Sequence, residues 1–220
     1  MFDFLSDSFV LLYIILPLFT SCVSICILIA LIKTKKRKIA AILLSILTIV
    51  GIDGEKIIVG GESAGGGLAA ALAVYARNTG KNCFAFQIPL YPMLDDRVTK
   101  TSANNHSPVW GTAENKAAWR IYFGDRVMNQ SVPVYAAPAR ETDFSHLPPV
   151  ISAIGTADPF YAEDLSFFNR IRSAGTPVRL FVGKGAYHAF DMMAPYADVG
   201  KNAVGFLLAS CKEYIEKYIQ

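Results

Sequence analysis

The sequence predicts an α/β fold of about four parallel strands with flanking helices, preceded by a hydrophobic N-terminal helix. Three observations carry this expectation. Short runs rich in β-branched residues alternate with longer stretches of helix formers, the order produced by parallel strands joined through crossover helices. The first of these runs ends in a Gly-x-Ser-x-Gly turn that leads straight into a helical pattern. Composition also changes abruptly at Gly51, which divides the chain into 1–50 and 51–220.

Residues 9–32 carry no charge and are mostly Leu, Ile, Val, Phe, Cys and Ala. As a helix they would span about 36 Å, enough for a hydrocarbon core of about 30 Å. KTKKRK follows, then a second apolar run, Ile39–Val50, which as a helix reaches only about 18 Å and reads as interfacial or buried. The acidic Asp3 and Asp7 precede the first run, where a cleaved signal peptide would have basic residues. The expectation is therefore a single-pass membrane anchor and juxtamembrane segment over 1–50. The basic cluster stays cytosolic and so places 51–220 in the cytosol.

Of 21 basic and 18 acidic side chains, five and two lie in the first fifty residues, leaving sixteen of each beyond. The basic excess is thus juxtamembrane, and nothing in the neutral remainder points to nucleic acid. Cys22, Cys26, Cys83 and Cys211 show no paired spacing for a disulfide framework or a metal site and read as small buried hydrophobes.

The first strand is expected over 56–60, where Ile57, Ile58 and Val59 suggest burial on both faces of a parallel sheet. It ends at Gly61-Glu62-Ser63-Ala64-Gly65. Glycines at 61 and 65 fit a sharp strand-to-helix turn that leaves the Ser63 hydroxyl exposed, and both are expected to be needed for lack of a Cβ. The glycines do not suit phosphate. Gly66-Gly67-Leu68 lacks the Lys-Ser/Thr of a Walker loop, and the relaxed dinucleotide match over Gly65–Ala70 has no acidic residue near position 87 for a ribose.

Ala64–Arg77 reads as a helix stopped by Asn78 and Gly80, followed by a strand over 83–88. The stretch 95–147 is long and irregular, so at least one helix is expected near Ala113–Phe123, with Trp110, Trp119, Tyr122, Phe123 and Tyr135 serving either as packing anchors or as pocket walls. A third strand over 149–154 releases Gly155-Thr156-Ala157-Asp158-Pro159. A helix follows whose apolar face holds Tyr161, Leu165, Phe168, Ile171 and Ala174, stopped by Gly175. A fourth strand over 177–182 leads through GKGAY to His188. Lys201–Tyr218 closes the chain as an amphipathic helix with Val204, Leu207, Leu208, Cys211, Tyr214, Ile215 and Tyr218 on its stripe.

A serine hydroxyl is a weak nucleophile until a base removes its proton, and the base needs a carboxylate to orient it. On a sheet of this kind the three follow in the order Ser, Asp or Glu, His, each after a strand. His106 and His146 lie in polar loops, whereas His188 follows a strand. Asp158 follows the strand between. It fits the orienting carboxylate and fits equally well an ordinary helix N-cap ahead of Pro159.

GGESAGG, LPPVISAIGTADP and GAYHAF together resemble the hormone-sensitive-lipase-like branch of the α/β-hydrolases, over roughly Gly51–Gln220. The resemblance implies the C-terminal half of an α/β-hydrolase fold and a carboxylic ester hydrolase acting on a small-molecule ester without cofactor or metal. It implies Ser63 as nucleophile, His188 as base, Asp158 as acid and the Ala64 backbone N–H as an oxyanion donor. Glu62 fits the family's acidic residue before the serine. Ala162 and His188-Ala189-Phe190 depart from the family's D-P-L-x-D-E and H-G-F, and no H-G-G-G run occurs. The same residues also fit a catalytically impaired membrane-tethered remnant, or a truncated or chimeric gene product. With few strands ahead of it, the nucleophile strand is expected to be an apolar edge that a helix, the membrane or a second copy of the chain would cover.

Overall fold

A computed structural model describes residues 56–81, 84–124 and 132–219. The expected membrane anchor, the basic cluster, the run Ile39–Val50 and three of the four cysteines (22, 26 and 83) lie outside the described residues. No helix among the described residues is long and apolar enough to cross a membrane.

Four parallel strands form one sheet in the order β1-β2-β3-β4, comprising Ile57–Glu62, Phe84–Leu90, Val150–Gly155 and Val178–Gly183. Each starts one residue later than the sequence suggests and runs one or two residues further, toward the edge where the reactive side chains emerge. β1 pairs with β2 along its length and β3 with β4 likewise. The β2–β3 junction is thinner because Pro89 has no N–H to donate. It is closed by Gln87 N–H to Pro149 O, Tyr91 N–H to Ala153 O, and the Ser152 hydroxyl, which donates to Pro89 O at 2.5 Å.

Helices cover both faces, and alternation along a strand decides which face each residue serves. Val150 packs with Ala70 and Val74 of α1 (Ala64–Asn78) and with Phe167, Phe168 and Ile171 of α3 (Tyr161–Ser173). Its neighbour Ile151 faces the other way, onto Phe86 and onto Tyr214 of α5 (Asp198–Tyr218), the helix after the one-turn α4 (Phe190–Met193). The long segment after β2 contains α2 (Thr112–Phe123) and a short 3₁₀ turn, Pro138–Arg140, tied back by Arg140 to the buried Asp96 at 2.6 and 2.8 Å.

The expected faces of β1 and of the last helix are corrected, and the face of α1, which the sequence left open, is set by close packing. β1 is not buried on both faces: Ile58 is 38 % exposed, and among the described residues β1 has a single neighbour. In α1 the small residues face inward while Leu68, Leu72 and Tyr75 point out, because the helix approaches the backbone beyond β2 too closely for large side chains. A Cβ on Gly67 would meet the Met93 carbonyl oxygen at 2.2 Å. In α5 the buried line runs through Gly200, Ala203, Ser210 and Tyr214, leaving the expected Val204 and Leu208 exposed.

In α3 the inward face continues from Phe167, Phe168 and Ile171 onto Asp164 and Glu163, while Ala174 is exposed. Both Asp164 oxygens are buried without a hydrogen-bond partner. Burial, with Glu163 and Asp158 adding like charge, holds the Asp164 carboxyl well above the usual carboxylate range. Below the unfolded-state value both states are protonated and nothing is lost. As pH rises above it the unfolded chain ionises first, so folded stability falls until the folded carboxyl titrates. Asp164→Asn is accordingly expected to raise Tm at pH 7–8, with a gain that shrinks toward pH 4. Each kcal/mol gained appears as about 2–4 °C in a thermal scan. A pH-independent difference would contradict the protonation account.

Candidate active site

Ser63 occupies the single residue between β1 and α1, at φ 53° and ψ −120°. That backbone is costly for a residue with a Cβ and persists only where its surroundings enforce it. Here they do. Ser63 N–H donates to Leu90 O at 3.0 Å, and Ser63 O accepts from Gly67 N–H and Met93 N–H, each at 3.0 Å. The two flanking glycines are not equivalent, contrary to the expectation that both are required. A Cβ on Gly61 would lie 2.4 Å from the Gly65 carbonyl oxygen, whereas one on Gly65 would meet nothing within 4 Å.

β3 delivers Asp158 and the loop after β4 delivers His188. The two turns are stitched together by Thr156 N–H to Gly183 O, Ala157 N–H to Ala186 O, each at 2.9 Å, and Gly185 N–H to Thr156 Oγ1 at 2.8 Å. His188 Nδ1 lies 2.7 Å from Asp158 Oδ2, and His188 Nε2 lies 2.9 Å from Ser63 Oγ. A carboxylate only accepts, so Nδ1 carries the proton and Nε2 is left to accept from the serine hydroxyl. Asp158 and His188 are 0 % and 3 % exposed, so water does not compete for the bond between them, whereas Ser63 is half-buried. The alternative of Asp158 as an N-cap is also realised in part, since its second oxygen, Oδ1, accepts Phe160 N–H at 2.9 Å. α3 itself begins later, at Tyr161, with Phe160 rather than Asp158 at its N-cap position.

His106 and His146 are exposed and stand apart from this relay, the former bonded to Asn104 Oδ1. Ala64 opens α1, where a backbone N–H has no carbonyl four residues back to bond. Ala189 adopts the left-handed conformation, φ 56° and ψ 33°, which gives the glycine of the family's H-G-F a physical reason.

Of the aromatic walls, Trp110 and Trp119 were among the rings the sequence offered as anchors or pocket walls, whereas Tyr91 and Phe160 were not. Tyr91 and Phe160 meet the His188 ring edge to face, each at 5.1 Å between centroids, and Trp110 lies at 5.9 Å. Trp119 packs in the same cluster, so the excursion after β2 builds part of the site. Beside it sit Glu62, Tyr91 and Asp191. Burial and Asp191 raise the Glu62 carboxyl, against lowering contributions from Tyr91 and His188. Burial and the same two carboxylates raise the Tyr91 phenol, which stays protonated. The one signal for Tyr91 was its place directly after a strand end on the reactive edge. Among the described residues no His, Cys, Asp and Glu group could hold a metal ion.

The sequence pattern of the α/β-hydrolase fold family matches residues 35–192. The chain belongs to the α/β-hydrolases. Within them it falls in the hormone-sensitive-lipase-like branch, as its motifs suggest. It is 29 % identical over 143 residues to esterase LipI of Mycobacterium tuberculosis, covering 64 % of this chain and 44 % of that one. To carboxylesterase NlhH of the same species it is 28 % identical over 167 residues, 74 % of this chain and 52 % of the other. Bacterial heroin esterase superposes with a TM-score of 0.68 at 34 % identity, over 74 % of this chain and 53 % of that one. Esterase LipW from Mycobacterium marinum gives 0.65 at 29 %, over 73 % and 50 %. The chain therefore spans about half the length of the relatives it matches.

Proposed function

We propose that this chain is a carboxylic ester hydrolase working through Ser63, His188 and Asp158. The observation that carries the reading is the relay itself. Three side chains separated by 95 and 30 positions in the sequence meet at 2.9 and 2.7 Å in the order needed to move one proton.

Ser63 Oγ attacks the ester carbonyl carbon while its proton passes to His188 Nε2, and Asp158 steadies the imidazolium that forms. The Ala64 N–H donates to the oxyanion as the tetrahedral intermediate develops. Collapse breaks the carbon–alkoxide bond, His188 returns the proton to the departing alcohol, and Ser63 keeps the acyl group. Water, deprotonated by His188, then releases the acid and restores the serine. Removing one oxyanion donor from such a site costs about a hundredfold to a thousandfold in kcat. Ala64 is the donor assigned here.

The test pairs turnover with covalent trapping. p-Nitrophenyl acetate is expected to be hydrolysed, and an alkyl fluorophosphonate to stop hydrolysis by adding to the peptide that contains Ser63, as read by mass spectrometry. Trapping at Ser63 without hydrolysis would favour the impaired-remnant reading. Neither outcome at any pH from 6 to 9 would end the esterase proposal.

A further inference from the structure

The turn that carries Asp158 is held from a direction that the proton relay does not require. Both peptide carbonyls flanking the acid are gripped by side chains from the segment between β2 and α2. The Ala157 oxygen accepts from Asn105 Nδ2 at 3.0 Å and from Ser107 Oγ at 2.6 Å, which fills both of its lone pairs. The Pro159 oxygen accepts from Thr101 Oγ1 at 2.9 Å, and that same hydroxyl accepts Ala162 N–H at 3.0 Å in the first turn of α3.

These side chains are set in place before they reach the acid. Asn105 N–H donates to Thr112 Oγ1 at 2.6 Å, Asn105 O accepts Thr112 N–H at 2.9 Å, and Thr112 Oγ1 donates to Ser102 O at 2.9 Å. Asn105 Oδ1 in turn accepts Ser107 N–H at 2.9 Å. The same segment then places Trp110 against His188. One stretch of chain thus bears on both the acid and the base, and it does so through donors already held by their own network, which is how a site keeps its geometry at little entropic cost.

We infer that Thr101, Asn105 and Ser107 are positioning residues that clamp the Asp158 turn and so hold its carboxylate on His188. The inference rests on the proposed ester-cleaving role for its kinetic consequence alone. The physical logic is that Asp158 sits on a short turn between β3 and α3, where small rotations of the Ala157 or Pro159 peptide would swing Oδ2 away from Nδ1. A misplacement of about 1 Å at such a pair costs on the order of a hundredfold.

The experiment compares Asn105→Ala, Ser107→Ala and the double variant with the parent chain. In the double variant kcat for p-nitrophenyl acetate is expected to fall about tenfold to a hundredfold, with KM within about twofold. Backbone amides over 156–160 should exchange hydrogen faster while those of β1 do not. Ser107→Thr, which keeps the hydroxyl, should restore both readouts in part relative to Ser107→Ala. His106→Ala, exposed between the two, should change neither. Parent-like kcat and exchange in the double variant would overturn the inference, as would faster exchange throughout the fold in step with a lowered Tm. Should the double variant not fold, Thr101→Val read in the same way decides, because it removes one hydroxyl and keeps the shape. A parent chain that hydrolyses no ester would sink the esterase proposal, and the exchange comparison would still judge the clamp.

Discussion

Asp158→Asn is expected to lower kcat for p-nitrophenyl acetate by about four orders of magnitude while leaving the protein folded. The two carboxylate oxygens have separate partners, His188 Nδ1 for Oδ2 and Phe160 N–H for Oδ1. An asparagine has one oxygen for two donors. If it turns that oxygen to Phe160, its amide N–H₂ faces the imidazole, and the ring is driven to the tautomer protonated on Nε2. That nitrogen then has no lone pair with which to accept the Ser63 proton, and the nucleophile stays protonated. If it turns its oxygen to His188, its N–H₂ meets the Phe160 N–H and the turn before α3 is disturbed. Both outcomes are unfavourable, but the first costs catalysis and the second costs structure, so a Tm measurement beside the assay separates them. A loss of less than about tenfold would show that His188 does not depend on Asp158 for its tautomer.

Gly155→Ala is expected to have the largest structural effect of any single methyl group added to a described glycine. A Cβ there would fall 2.1 Å from the Ala186 carbonyl oxygen and 2.6 Å from its carbon. Neither atom is the loose end of a side chain. The Ala186 oxygen is fixed by Ala157 N–H at 2.9 Å, and Ala186 N–H donates to Gly183 O at 3.2 Å, so yielding means breaking the stitches between the acid turn and the histidine loop. Overpacking of this kind costs about 1–3 kcal/mol or more, which for a domain of this size lowers Tm by several degrees. Activity should fall further than stability, because Asp158 and His188 are carried on the two loops that are forced apart. Gly65→Ala provides the contrast. It has open space around the added carbon and lies in the first turn of a helix, so its Tm is expected to stay level or rise by the small helical preference of Ala over Gly. A Gly155→Ala protein with unchanged Tm and kcat would mean that the β3 end and the Ala186 peptide are not packed as the structure has them.

Much of the site was readable along the chain because its chemistry depends on order. Ser63, Asp158 and His188 each follow a β-rich run, and the sheet's parallel pairing brings every such C-terminal end to one edge, so linear order becomes proximity. Other features left no linear trace. The inward face of α1 is its small-residue side rather than its leucines, since a close helix-to-backbone approach selects against bulk. Glu163 and Asp164, which the sequence placed on no particular face, are both buried. Asn105, Ser107 and Thr101 look like ordinary loop residues and act on a turn about fifty to sixty positions away.

By itself the sequence determined the alternation of strand and helix and the nucleophile's turn, and it put forward Ser63, Asp158 and His188 as candidates while leaving Asp158 open as a helix cap. Each of these is set by local propensity, or by the single rule that a parallel strand delivers its end to a common edge. Only the tertiary structure decided which helix faces are buried, why Gly61 is constrained and Gly65 is not, which aromatic rings enclose His188, and what holds Asp158 still. Those depend on distances between backbones that are remote in sequence, and hydropathy and spacing carry no information about how closely two such backbones approach.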